Sequence, residues 1–220
     1  WRRILQPAVP LFTLYVFSTL ARYLDNSQFP LFVEFLNGGP DALNTVRLTS
    51  WVLGMGSIGA VLAGIIFGLW VDKYPGRVAK ISLVGAASFM FCMFLISKIP
   101  EMSRTELFGL SISIPVLTLM PLRFIMIFFS AGLEPVWNSW LSKITHPEHK
   151  GMIFGLASTF RSIGGVIAHS LAGLFACNFG ILSIFIFGAL FFLLVLPLLN
   201  FHEKAILTRV KKMRKLSKSG

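Results

Sequence analysis

Ionisable side chains interrupt long apolar stretches of this chain at Arg22, Asp25, Arg123, Glu134, Arg161 and His169. An ion in hydrocarbon costs about 2.5 to 3.5 kcal/mol even on insertion scales, so each of these must pair, meet water or serve a translocation path. Arg22 and Asp25 stand three positions apart, on one helix face; they either neutralise each other or leave Asp25 toward a water-filled cavity. Arg123 and Glu134 are eleven positions apart, which returns to nearly the same face about 16 Å along a helix. The alternative for Arg123 is a snorkelling side chain near the outer interface. Counted inward from Lys143 and Lys150, Glu134 and Arg161 lie at one depth, about 14 to 17 Å. This predicts a Glu134–Arg161 pair facing the bundle interior, with Asp25 as the other carboxylate for Arg161. His169 is either a group that titrates near neutral pH or a neutral imidazole bonded to a neighbouring serine.

Other chemistries lack their residues. The chain has no HExxH, GxSxG or Walker A pattern, and its charges are dispersed over several segments rather than gathered at one interface, so no enzyme and no cofactor are expected. Gly54, Gly56 and Gly59 match GxGxxG, but the dinucleotide fingerprint needs a preceding strand; inside an apolar segment these glycines predict close helix packing. His146, Pro147, Glu148 and His149 have no further ligand nearby, which leaves a solvated loop and no metal site. Cys92 and Cys177 fall inside apolar segments and say little about redox compartment.

The elements that must position these groups are membrane helices. Of 220 residues 55% are hydrophobic, 22 are phenylalanine and 13% are charged, with mean hydropathy +0.76. A soluble domain would carry about twice that charge. Apolar runs of spanning length predict six spans at about 10–36, 50–71, 81–99, 116–144, 151–177 and 180–201. The first is interrupted by Arg22, Asp25, Asn26 and Pro30; the third, with Lys98 at its very end, and the uncharged sixth are expected at the lipid or the bundle periphery. The segments 37–49 and 100–115 read as loops. Residues 1–201 thus form an all-α six-helix transmembrane bundle and 202–220 a basic cytoplasmic tail. That tail is either a surface-lying amphipathic helix, with Ile206, Leu207, Val210, Met213 and Leu216 on one face, or a disordered tail.

The net charge of +11 does not point to nucleic acid. Two Lys and Arg lie at the amino end, three at 73–80, two at 143–150 and seven in the tail, 14 of 20 in all. These are alternate turns, so both chain ends are expected to be cytoplasmic. The chain opens on Trp1; it is expected to be a piece of a longer polypeptide without a cleavable signal peptide.

Small residues complete the pattern. Gly56, Ala60, Gly64 and Gly68 recur every fourth position toward Asp72, and Gly164, Ala168, Ala172 and Ala176 repeat the design; such edges let membrane helices approach closely. Gly68, Asp72, Lys73, Arg77 and Lys80 resemble the loop between the second and third helices of the major facilitator superfamily, with Pro75 and Gly76 where that family usually has Gly and Arg. Arg123, Ala131, Gly132 and Pro135 resemble its fourth-helix pattern. The stretch 164–173 is similar to the fifth helix of proton-coupled antiporters, with Ala168 and His169 replacing a Gly-Pro pair. The segments ILQPAVPLF and DNSQFPLFVEFLNGG look like the first helix of a facilitator half, nearer the carboxyl half of drug:proton antiporters.

The resemblance implies one half of a facilitator fold, built from two inverted three-helix repeats and working with another six-helix half by alternating access. It further implies proton-coupled export of a small amphipathic or drug-like solute, as in multidrug efflux antiporters, from the plasma or inner membrane. Asp25, Arg123, Glu134, Arg161 and His169 are then the transport and coupling candidates, and Gly68, Asp72 and Arg77 the conformational latch. The partners are the solute, protons, lipid and the other half. The alternative is a six-span scaffold or inactive fragment whose charges only set topology.

Overall fold

The computed structural model describes the backbone of residues 8–38, 42–99, 104–107 and 110–219, with their side chains except those of 42, 104, 106, 107, 110, 111, 204–207 and 209–219. The elements are α1 (Val9–Tyr23), α2 (Phe29–Leu36), α3 (Ala42–Val71), α4 (Pro75–Ile96), β1 (Arg104–Leu107), β2 (Leu110–Ser113), α5 (Ile114–Ala131), α6 (Leu133–Ile144), a 3₁₀ turn (Pro147–His149), α7 (Lys150–Phe179) and α8 (Ser183–Ser219). Among the described residues five segments are long and apolar enough to cross a membrane: Leu43–Val71, Pro75–Ile96, Ile114–Ile144, Pro147–Phe179 and Ser183–Glu203.

The expected first span is divided. A turn at 24–28 separates the 15-residue α1 from the 8-residue α2, neither of which spans a bilayer alone. Pro30 in the first turn of α2 has no N–H to continue the ladder of α1, and Asn26 and Gln28 donate instead to the carbonyls of Tyr23 and Asp25 at 3.2 Å. The span at 114–144 is also interrupted, at one residue. Gly132 joins α5 to α6, and Pro135 lies in the first turn of α6.

Other boundaries move as well. The expected loop 37–49 contributes its last residues to α3, because Thr45, Leu48, Thr49 and Val52 continue a buried stripe. Pro75 opens α4 rather than sitting in a turn, since its fixed φ suits a first helical position. Within the expected loop 100–115, β1 and β2 form an antiparallel hairpin with Arg104 opposite Ser113. Gly180, at φ 80°, ends α7 and lets α8 begin. The tail continues α8 as helix to Ser219; the amphipathic face expected at 206–216 lies outside the described side chains.

Packing joins distant segments. Helix α1 packs on α7 and α8, α3 on α5, and α4 on α5 and α8. The third and sixth spans are therefore not wholly peripheral: α4 buries Leu83, Ala86, Met90 and Met93, and α8 buries Phe185, Phe192, Val195 and Leu199. Each keeps one exposed apolar face, with Val84, Phe91 and Leu95 on α4 and Leu190 and Leu194 on α8. The least-buried spans are α3 and α7, with 28% and 17% of their apolar windows inside the bundle.

The two small-residue rows behave differently. On α7 the expected row is a contact face: Gly164, Ala168 and Ala172 are buried, and a Cβ at Gly164 would lie 2.6 Å from the Val16 carbonyl oxygen. On α3 the contact face is Val52, Gly56, Gly59, Ala63 and Phe67. A Cβ at Gly59 would stand 2.5 Å from the Phe124 carbonyl oxygen, whereas Gly64 and Gly68 meet nothing within 4 Å among the described residues. The GxGxxG match thus lies mid-helix, with Gly59 admitting α5.

Candidate transport site

Two ion clusters tie α1 and the turn after it to the second half of the chain, one to α5 and one to α6 and α7. In the first, Arg123 on α5 pairs with Asp25 in the turn after α1 and donates from Nη2 to Asn26 Oδ1 at 2.9 Å. Its guanidinium sits 4.4 Å from the centre of the Phe29 ring. Arg123 and Asp25 are each 1% exposed, so the snorkelling position is excluded and the local Arg22–Asp25 pairing is replaced. The break at 24–28 turns Asp25 off the face of Arg22 and toward α5. Arg123 Nε and Asp25 Oδ1 have no hydrogen-bond partner among the described residues.

In the second cluster, Arg161 on α7 donates to Glu134 Oε1 at the start of α6, while Arg22 Nη1 lies 3.6 Å from Glu134 Oε2. Glu134 and Arg161 meet at one level, as their equal depth requires. Their side chains are 41% and 44% exposed, so they lie on an open face. Tyr15 donates to Asn138 Oδ1 at 2.6 Å and Trp137 Nε1 to Ser18 Oγ at 3.2 Å. Tyr15, Ser18, Thr19, Arg22, Glu134, Trp137 and Arg161 border a cleft of ≈ 20 Å³, room for one water. A second, wider cavity of ≈ 180 Å³ lies between α1, α3 and α5, and Arg22 borders both.

His169 is exposed on α7, with its ring 6.4 Å from that of Tyr23. The alternative of a serine-bonded imidazole is not met among the described residues, where Ser170 donates to the Val166 carbonyl. At one end of the bundle Asp72 lies 3.6 Å from Lys143, and Lys80 bonds Glu203 at 2.9 Å. Arg77 lies 5.3 Å from the Tyr74 ring centre and a Cβ at Gly68 would meet nothing within 4 Å; among the described residues the Asp72 contact is with Lys143. Leu36 and Asn37 bind Ser113 at the other end. Among the described residues no group of three His, Cys, Asp or Glu could hold a metal ion.

Sequence reasoning missed Arg22 as a partner of Glu134, and it missed Tyr15, Ser18 and Asn26. A signal was there: Tyr15, Ser18, Thr19 and Arg22 recur at the three- and four-residue spacing of one helix face.

The family model described as Major Facilitator Superfamily matches residues 11–218, nearly the whole chain. The chain belongs to that superfamily. It is accordingly a multi-pass integral membrane protein of a transporter family. None of the curated proteins compared matches it.

Proposed function

We propose that this facilitator chain is one half of a secondary transporter, that it works by alternating access, and that Glu134 couples it to protons. The observation that carries the reading is the placement of Glu134 between two guanidiniums on a half-exposed face of an otherwise apolar bundle. A structural counter-ion gains most when buried; a carboxylate shared by Arg22 and Arg161 at an accessible face is placed to exchange a proton for a partner.

The packing supports two inverted three-helix repeats. With α1 and α2 taken as one broken first span, exchanging the first three spans with the last three turns the contact of spans one and five into that of four and two. It likewise turns the contact of three and four into that of six and one. The open faces of α3 and α7, with Gly64 and Gly68 uncovered, suit a second six-helix half. The alternation of charge suits cytoplasmic ends for both termini.

At the cytoplasmic end the Asp72–Lys143 contact is the latch of one access state. Both side chains are well exposed, so the contact stabilises by at most about 1 kcal/mol, a size that a conformational cycle can break and remake. Asp72→Asn is expected to leave unfolding unchanged and to alter cytoplasmic accessibility of the cavity to thiol reagents; unaltered accessibility would remove the latch.

The solute is small and amphipathic. Antiport and export rest on the similarity of 164–173 to antiporter fifth helices, in which Ala168 and His169 replace the Gly-Pro pair. The full-length polypeptide in proteoliposomes should show solute flux that responds to an imposed proton gradient, read with anionic, neutral and cationic amphipathic solutes. Absence of gradient-dependent flux for all three would favour the scaffold.

A further inference from the structure

The cavity between α1, α3 and α5 has donors in its wall and no carboxylate. Its polar lining is Arg22, Tyr23, Asn26, Ser57 and Arg123. An apolar cavity of about 150 Å³ takes up benzene, so ≈ 180 Å³ suffices for a small organic molecule. Asp25 is fully buried against Arg123 and does not line it.

These side chains hold donors in reserve. Arg123 gives Nη1 to Asp25 and Nη2 to Asn26. Its Nε–H remains without a partner among the described residues, near Gly56 on the cavity wall. Asn26, its oxygen occupied, keeps an NH₂ donor. Arg22 stands 3.6 Å from Glu134, longer than a hydrogen bond, while Arg161 takes the other carboxylate oxygen. Three guanidiniums thus face two carboxylates, and one positive charge is uncompensated. A cation here would meet that charge and leave the buried Arg123 donor unpaired.

We infer that the solute of this transporter is a small organic monoanion whose carboxylate binds between Arg22 and Arg123, with its apolar body against Leu53, Ala60 and Ile127. The inference rests on the transporter reading and names its substrate class. Neutralising Glu134 releases Arg22 to the cavity and strengthens the site, so the proton and the anion bind together, and for this solute class the coupling is symport in place of antiport.

The test is equilibrium binding of benzoate, benzamide and benzylammonium to the full-length polypeptide in detergent, probes of one shape and three charges. Benzoate is expected to bind, with the other two at least about tenfold weaker, or about 1.4 kcal/mol. Arg22→Gln should weaken benzoate binding by a similar factor, and Glu134→Gln should tighten it. Ser57→Leu, which fills the cavity from α3 without changing charge, should abolish it and decides the matter if Arg22→Gln fails to fold. Equal binding of the three probes, no benzoate binding, or loss of it in Glu134→Gln would overturn the inference. Gradient-driven flux on the same preparation separates the claims. Flux without benzoate binding removes the anion site and leaves the transporter; benzoate binding without flux leaves the site and removes the transporter.

Discussion

Arg22 belongs to both clusters, facing Glu134 on one side and the cavity of Arg123 on the other. It is the residue whose allegiance can change. Arg123 cannot change so cheaply, because its pair with Asp25 is buried and breaking such a pair by removing one partner costs about 3 to 5 kcal/mol. Asp25→Ala is therefore expected to destabilise the bundle by that amount in thermal or denaturant unfolding, while Asp25→Leu with Arg123→Met should recover much of the loss. A double variant no more stable than the single one would show that the pair does more than compensate charge. Depth counting along α6 and α7 made the Glu134–Arg161 pair legible in the sequence. The Asp25–Arg123 pair was not, because helical spacing puts Arg22 and Asp25 on one face only while the helix continues, and the turn at 24–28 ends it.

At the scale of elements, the apolar runs made the spans visible and left their ends open. Helix starts were displaced where local rules competed: Pro75 reads as a turn residue and as a first helical residue, and packing of α4 on α5 and α8 settles it. The hairpin β1–β2 was hidden because four-residue strands are too short for period-two alternation to stand out from a polar loop. Small-residue rows predicted close approach on both α3 and α7, but every-fourth spacing alone does not choose the contacting edge. On α3 the edge that meets α5 runs through Gly56 and Gly59. Gly59→Ala should thus lower the melting temperature, since its methyl would press on the Phe124 carbonyl and backbone must shift. Gly64→Ala, whose methyl meets nothing within 4 Å among the described residues, should lower it less; the reverse order would misplace the α3–α5 contact.

For the whole molecule, the two ends are distinguished by what they bind: Asp72, Lys80, Lys143 and Glu203 at one, Leu36, Asn37 and Ser113 at the other. Cytoplasmic termini predict that an impermeant thiol reagent added outside labels a cysteine placed at Thr105 in the hairpin and not one placed at Thr208; the opposite labelling would invert the topology. Membership of the superfamily was legible in the turn at Asp72 and the pattern around Arg123. Which helix faces stay open was not legible, since apolar runs alone do not say which side of α3 or α7 lacks a neighbour.

Glu134 is the proposed coupling group, and the most direct measurement of that role compares two fluxes in proteoliposomes holding the full-length polypeptide. Glu134→Gln keeps the shape of the side chain and removes its titratable proton. Solute exchange at equal concentrations should persist in this variant, while accumulation driven by an imposed proton gradient is lost. If gradient-driven accumulation survives Glu134→Gln unchanged, Glu134 is a counter-ion for Arg22 and Arg161 and the coupling lies elsewhere.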